Sequence, residues 1–290
     1  LDQIRIAEVP WNEAKHVNLL VSEAFGYSHP HSYFDDFPIW TTKKAIRIGG
    51  YSGNELISHV GIQFRNLRTA GSRVPVALIG AVATKEAFRG RGYSSLLLKR
   101  ALEIIDSQGC EWSLLWGSEH DFYSKFGFHL SGVQFRAPVS DLFLKDMTRS
   151  NTNQLRSAVH EGLCSRITDE FLTRKTGIEF NPDDIEWLTL QKTVKWFYIN
   201  EPFAFIAYER GLDLGGMVHE IGGDPAGIRE LLSHVLQLNP DAQVIGAPNE
   251  LLRLGFNLDS CIQEYLCLGR PKDSSLPWNP EFWISGLSAV

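Results

Sequence analysis

The sequence predicts a mixed α/β protein with a central mixed sheet, in which a first unit ordered βαβββαβαβ is followed by a second, smaller α/β unit. Three observations carry that prediction. Val76 to Val82 is a continuous apolar run of the kind that becomes a strand buried on both faces. Behind Gly92, the residues Leu97, Leu98, Ala101, Leu102 and Ile105 recur on one face of a helix. A similar succession returns in the second half, where Gly216 to Ile221 leads through Gly222-Gly223-Asp224 to a helical stripe of Ile228, Leu231, Leu232, Val235 and Leu236.

Ile4 to Val9 reads as the first strand. After Pro10 a helix places Val17, Leu20, Val21 and Ala24 on one face and stops at Gly26. The segment from Tyr27 to Trp40 is aromatic and reads as loop or short helix, with His29, His31, Asp35 and Asp36 in it. Ala45 to Gly50 and Leu56 to Leu67 are strands separated by the turn Ser52-Gly53-Asn54. The second of these alternates apolar and polar residues from His59 to Arg65, the pattern of a half-buried strand. A hairpin at Ala70-Gly71-Ser72 leads into the strand before the basic turn. Glu111 to Trp116 forms the strand after the main helix, and Val133 to Pro138 is expected to close the first unit. Residues 147 to 153 are polar, so the expected division is 1–149 and 150–290. Helical material from Leu155 to Phe171 and an aromatic strand region from Val194 to Tyr208 open the second half. After its glycine turn and helix, a strand at Ala242 to Ala247 precedes Asn249 to Phe256.

Composition narrows the function. Hydrophobic residues make up 43% and charged residues 21%, which suits a globular protein with a real core. A formal net charge of −6 argues against nucleic-acid binding, which needs a basic face. The four cysteines, Cys110, Cys164, Cys261 and Cys267, form no CxxC pair and have no matching histidine spacing, so no metal is expected. No apolar run approaches the ~20 residues of a membrane span. The stretch Leu1-Asp2-Gln3-Ile4-Arg5 lacks the apolar core of a signal peptide. A cytoplasmic protein, monomer or homodimer, is the expectation.

The chemistry concentrates at two places. A glycine turn feeding a helix leaves the first N–H groups of that helix without intrahelical partners and sets the positive end of its dipole behind them. Arg89-Gly90-Arg91-Gly92 adds two cations to such a turn. In isolation the tetrapeptide equally suits a solvated basic loop; its place between strand and helix favours an anion cradle. The second place is Gly117-Ser118-Glu119-His120-Asp121-Phe122-Tyr123-Ser124-Lys125-Phe126-Gly127-Phe128. Ser118 with Asp121 has capping-box spacing, which predicts a short helix starting after Ser118 and ending at Gly127.

Together these motifs resemble the GNAT superfamily of N-acetyltransferases, over roughly residues 3 to 145. The family pattern Gln/Arg-x-x-Gly-x-Gly/Ala falls on Arg89, Gly92 and Ser94, and its Phe-Tyr-x-x-x-Gly-Phe element on Phe122, Tyr123, Gly127 and Phe128. Ser94 departs from the usual Gly or Ala but remains small. The resemblance implies acetyl-CoA as co-substrate, with pantetheine along the backbone of Val82, Ala83 and Thr84. It places the diphosphate at the N–H groups of Arg89, Gly90, Arg91, Gly92, Tyr93 and Ser94. It also implies that Tyr123 is the general acid for the departing thiolate. A tyrosine hydroxyl, with a reference pKa of about 10, keeps its proton at neutral pH. The competing reading makes Tyr123 a core aromatic only.

No single residue stands out as base. Glu119, His120 and Asp121 lie near the tyrosine, but the first turn of a helix attracts carboxylates for dipole reasons alone. Glu23 is a further candidate, and His29 and His31 lie where the family's acceptor loop would be. In the second half the Gly255-Phe256 ending matches Gly127-Phe128, Leu251 stands where Tyr123 does, and Asp224 stands in the turn whose counterpart carries two arginines. A carboxylate there would repel a diphosphate. That half reads as a degenerate GNAT-like unit or as an unrelated α+β appendage. The aromatic stretch Pro277 to Trp283 is expected to pack across it. The expected function is acetyl transfer to the primary amine of a small molecule by direct attack. Two alternatives are a protein or peptide N-acetyltransferase and an acyl-CoA-binding regulatory module without turnover.

Overall fold

A computed structural model describes residues 4–69, 72–143, 156, 161–181, 184, 187–188, 190–273 and 282–288. In chain order the elements are β1 (Arg5–Glu8), α1 (Ala14–Phe25), α2 (Tyr33–Asp36), β2 (Ala45–Ser52), β3 (Glu55–Thr69), β4 (Ser72–Thr84), α3 (Tyr93–Ser107), β5 (Trp112–Leu115), α4 (His120–Ser124) and β6 (His129–Pro138). There follow α5 (Glu161–Thr173), β7 (Gly177–Ile178), β8 (Lys195–Ile199), β9 (Ala204–Tyr208), β10 (Met217–Gly223), α6 (Pro225–Leu238), β11 (Gln243–Gly246), α7 (Pro248–Leu254) and β12 (Ile262–Pro271). No helix among the described residues is long and apolar enough to cross a membrane.

The chain forms two compact units that interleave along the sequence. One comprises Leu1–Ser131 with Cys267–Pro280 and Ala289–Val290, the other Gly132–Leu266 with Glu281–Ser288. The sequence instead suggested one cut near residue 150; residues 147–153 lie outside the described residues, as do Ala70 and Gly71, Leu155, and most of the Pro277 to Trp283 stretch. Phe282 and Trp283 are buried.

The first unit's strands run in the order β1-β2-β3-β4-β5-β12. β1 to β4 pair antiparallel, β4 and β5 pair parallel from Val76↔Trp112 to Ile79↔Leu115, and β12 pairs antiparallel with β5, Leu268 opposite Leu115. Residues 76 to 81 of β4 are buried without a break, as a strand covered on both faces must be. The predicted stripe of α3 is the helix's buried face, packed with Val60, Ile62, Ala77 and Ile79. Each such Leu or Ile contributes about 1.5–3 kcal/mol by leaving water. β3 departs from the half-buried expectation, because every residue from Leu56 to Gln63 is buried. His59 and Gln63 face away from α3, alternating with Val60 and Ile62, and Gly61 between them leaves room for the Trp40 ring, whereas the polar Ser58 shares the face of Val60 and Ile62.

Val133 to Pro138 does not close the first unit. β6 belongs to the second unit and pairs antiparallel with β11, Ala137 opposite Val244. The strand beyond β5 in the first unit is instead the end of β12, fastened by Arg270, whose two Nη atoms donate to the Asp106 carboxylate at 2.9 and 3.1 Å. The second unit runs β6-β11-β10-β9-β8, with β10 and β11 parallel and the other pairs antiparallel. Its α6 buries Ile228, Leu231, Leu232 and Val235 as the sequence stripe predicts. The series β3-β4-β5-β12 and β9-β10-β11-β6 thus share the same strand directions.

Candidate active site

The parallel pairing of β4 and β5 stops at Ile79 and Leu115, yet β4 continues five residues further to Thr84. Beyond the last pair, β4 carries a bulge. The register against β3 moves from Gly61↔Gly80 to His59↔Ala83, which sets Ala81 and Val82 against one residue of the partner, and Ala81 has φ of 51°. His59 holds this bulge. Its Nδ1–H donates to the Ala81 carbonyl at 2.8 Å, and burial pushes the imidazole down to about 4, so it stays neutral. Val82 is half-buried while Ala83 and Thr84 are buried. The strand end expected to meet pantetheine therefore has no β5 neighbour in the sheet.

From Thr84 the chain turns through a short 3-10 segment (Glu86–Phe88) into Arg89-Gly90-Arg91-Gly92 and α3. The Arg89 N–H bonds the Glu86 carbonyl, and the first ladder bond of the helix is Leu96 N–H to the Gly92 carbonyl. The amides between those bonds are the ones a helix start leaves without helical partners. Gly92 is the N-cap at φ 77° with no side-chain cap, and a Cβ added at Gly90 or Gly92 would meet no atom within 4 Å. The concave side of the turn is open. Arg89, Gly90, Arg91 and Gly92 are all exposed. Arg89 Nε donates to the Thr84 carbonyl at 3.1 Å, and Arg91 lies over the Phe88 ring at 5.4 Å. The Tyr93 side chain is buried, so only its backbone can serve an anion.

Tyr123 sits on α4, which follows β5 after one short loop. Its ring lies against Gly117, where even a methyl group would approach to 2.9 Å, and edge-on to Phe122 and Phe128. The residue is 7% exposed, and among the described residues its hydroxyl has no hydrogen-bond partner. Burial, with the nearby Glu119 charge, pushes it up to about 12. The hydroxyl therefore keeps its proton at neutral pH, and the same rise makes it a weaker donor than a solvated phenol. The capping box expected at Ser118 and Asp121 does not form; the N-cap is Glu119 without a side-chain cap bond, and the His120 N–H bonds the Ser118 carbonyl. A capping box forms instead at Ser32 and Asp35, at the start of α2.

Of the candidate bases, Glu23, Glu119, His120 and Asp121 are exposed, as are His29 and His31. Sequence reasoning missed Ser58, His59 and Gly117. The signal for His59 was present but misread, because alternation on a strand covered on both faces marks which helix a residue faces rather than solvent.

The second unit's counterpart is closed. Asp224 caps α6, its Oδ1 accepting from Ala226 N–H at 2.9 Å and Gly227 N–H at 3.1 Å, so the amides an anion would need are already used. Gly223, at φ 91°, has the Phe203 carbonyl 2.2 Å from where a Cβ would be, which leaves no open concavity. Leu251 replaces the phenol and is fully buried. Beside it lies an ionic cluster. Arg174 Nη2 donates to Glu220 Oε1 and to the Ile221 carbonyl, each at 2.6 Å, while Glu220 Oε2 and Glu250 Oε2 are enclosed with no hydrogen-bond partner among the described residues.

Burial, opposed by Arg174 and helped by Glu220, pushes Glu250 up from 4.5 to about 7. A carboxyl raised on folding stabilises fully below its unfolded pKa, and that stability is lost as pH rises through the folded value. Glu250→Gln mimics the protonated form. Denaturant unfolding of parent and variant from pH 5 to 8 should show the variant gaining on the parent by up to about 3 kcal/mol. A difference independent of pH would contradict the assignment.

A strand pair opened by a bulge, a glycine turn at a helix start and a buried phenol thus lie in the first unit, each at a place that the resemblance drawn from the sequence assigns. Comparison with known proteins agrees. The family described as acetyltransferase (GNAT) domain matches residues 5–131, somewhat under half of the chain. A protein of Streptomyces avermitilis named as an uncharacterized N-acetyltransferase is 28% identical over 110 residues, 38% of this chain and 27% of its own length, so the match spans about a quarter of that relative. Among solved structures, a probable N-acyltransferase from Enterococcus faecalis shares the fold at TM-score 0.65 and 18% identity, covering 93% of this chain and 73% of that one. A putative acetyltransferase from Pyrococcus horikoshii does so at TM-score 0.57 and 15% identity, covering 100% of this chain and 97% of that one.

Proposed function

We propose that the chain is an acetyl-CoA-dependent N-acetyltransferase that moves an acetyl group to the primary amine of a small molecule by direct attack. The observation that carries this reading is the open cradle of Gly90 and Gly92, set at the end of a strand that has parted from its parallel neighbour. The amides of residues 89–94 would hold the diphosphate with Arg89 and Arg91 adding charge, and the backbone of Val82, Ala83 and Thr84 would hold pantetheine. The neutral amine attacks the thioester carbonyl, the C–N bond forms as the C–S bond breaks, and Tyr123 gives its proton to the sulfur. The ammonium formed loses its proton to water, and Tyr123 is reprotonated from solvent. The second unit is read as a degenerate GNAT-like partner, supported by its matching strand directions and closed turn. The four cysteines form no disulfide among the described residues, which fits a reducing, cytoplasmic setting.

The test follows thiol release from acetyl-CoA against a panel of small primary amines and a panel of peptides. Amine-dependent release with acetylated product supports the reading. Turnover with peptides alone would move the acceptor to a protein terminus or lysine, and CoA binding without release for any amine would make the chain a regulatory module.

A further inference from the structure

Ser94, the residue that departs from the family pattern, is joined to two other hydroxyls. Ser94 Oγ lies 2.7 Å from Thr84 Oγ1, which lies 2.7 Å from Ser58 Oγ, and Ser58 Oγ also reaches the Ala83 carbonyl at 3.1 Å. Ser58 and Thr84 are buried and Ser94 is half-buried, at the rim of the cradle. Each hydroxyl has one proton to donate and can accept others, so the row has two proton orders. In one order Ser94 donates to Thr84, Thr84 to Ser58, and Ser58 to the Ala83 carbonyl. In the other Ser58 donates to Thr84 and Thr84 to Ser94, which leaves the Ser94 proton for a group in the cradle. Without an anion the first order uses every proton. With one the second gains a charge-assisted hydrogen bond, roughly twice as strong as a neutral one.

We propose that the Ser94 hydroxyl is a side-chain ligand for the cofactor diphosphate, and that Thr84 and Ser58 position it through this reversible row. The inference rests on the reading that acetyl-CoA binds the first unit. Thr84 is the junction: its hydroxyl holds Ser94 and its carbonyl holds Arg89, so both shoulders of the turn are tied to the end of β4.

The test is calorimetry with CoA and with dephospho-CoA, which keeps the diphosphate but lacks the 3′-phosphate, alongside melting temperature. Ser94→Ala restores a residue common in the resembled family, so the cradle itself is left open. The expected result is about tenfold weaker binding of both ligands, the low end for a lost hydrogen bond to a charged group. Melting of the free protein should stay near the parent value. Thr84→Val should weaken binding less, Thr84→Ser should restore it, and the Thr84→Val/Ser94→Ala double variant should bind no worse than Ser94→Ala alone. Unchanged affinity in Ser94→Ala, a loss with CoA only, or additive losses in the double variant would each overturn the proposal. If the parent binds neither ligand, the acetyl-CoA reading falls and takes this one with it.

Discussion

Tyr123→Phe should slow single-turnover acetyl transfer by about 10²–10⁴-fold while acetyl-CoA affinity barely moves, because the substitution removes one proton donor and keeps the ring. The phenol makes no hydrogen bond with a described residue, so folding loses little with it. Its ring contacts with Gly117, Phe122 and Phe128 belong to the part that phenylalanine retains. Melting temperature should therefore stay within a few degrees of the parent. With Tyr123 raised to about 12, its proton is present throughout the neutral and mildly alkaline range, so the parent should show no loss of rate from phenol ionisation below pH 10. If thiolate release is fast relative to amine attack, multiple-turnover assays understate the effect, and single-turnover rates are the proper measure. A folded Phe variant that transfers acetyl at the parent rate would remove Tyr123 from the mechanism.

Gly92→Val should abolish measurable binding of acetyl-CoA, a loss of at least about 100-fold, for two reasons that act together. On the proposed reading the side chain would enter the space meant for the diphosphate, and nothing within 4 Å of a Cβ there bars it from doing so. The backbone at φ 77° is also one that β-branched residues resist, at a cost of order 1–3 kcal/mol. Relief of that strain would move the amides that point at the anion. The strain alone lowers stability modestly, so the variant should fold, with reduced melting temperature and intact circular dichroism. Unchanged affinity in a folded Gly92→Val protein would rule out the turn as the cofactor cradle.

Local pattern made some of this molecule legible and left other parts hidden. The α3 stripe and the basic glycine turn could be read because helix period and glycine punctuation are properties of short windows. The same holds for α6, whose predicted stripe is its buried face. The exchange of β6 and β12 could not. Both are strands that follow a short helix ending in Gly-Phe, and sequence adjacency assigns each to the unit it leaves. What decides the matter is long-range: Arg270 on Asp106 for β12, and Arg136 with Glu264 and Gln243 in the unit that takes β6. Within the site, Asp224 was read as repelling a diphosphate, whereas the structure gives it a more local task. It occupies the very amides an anion would use, which closes the second turn by hydrogen bonding as well as by charge. Ser58 was invisible because a lone serine in an apolar strand carries no signal until the strand that supplies Thr84 lies beside it.

On the proposed reading the chain has one cofactor site, in the turn between β4 and α3. Hydrogen–deuterium exchange of the chain with and without acetyl-CoA, at labelling times short enough to capture helix-start amides, tests it most directly. Protection is expected in peptides covering residues 82–96 and in those around Tyr123, with none at residues 217–230 of the second unit. Protection at residues 217–230, or none over 82–96 at saturating acetyl-CoA, would contradict it.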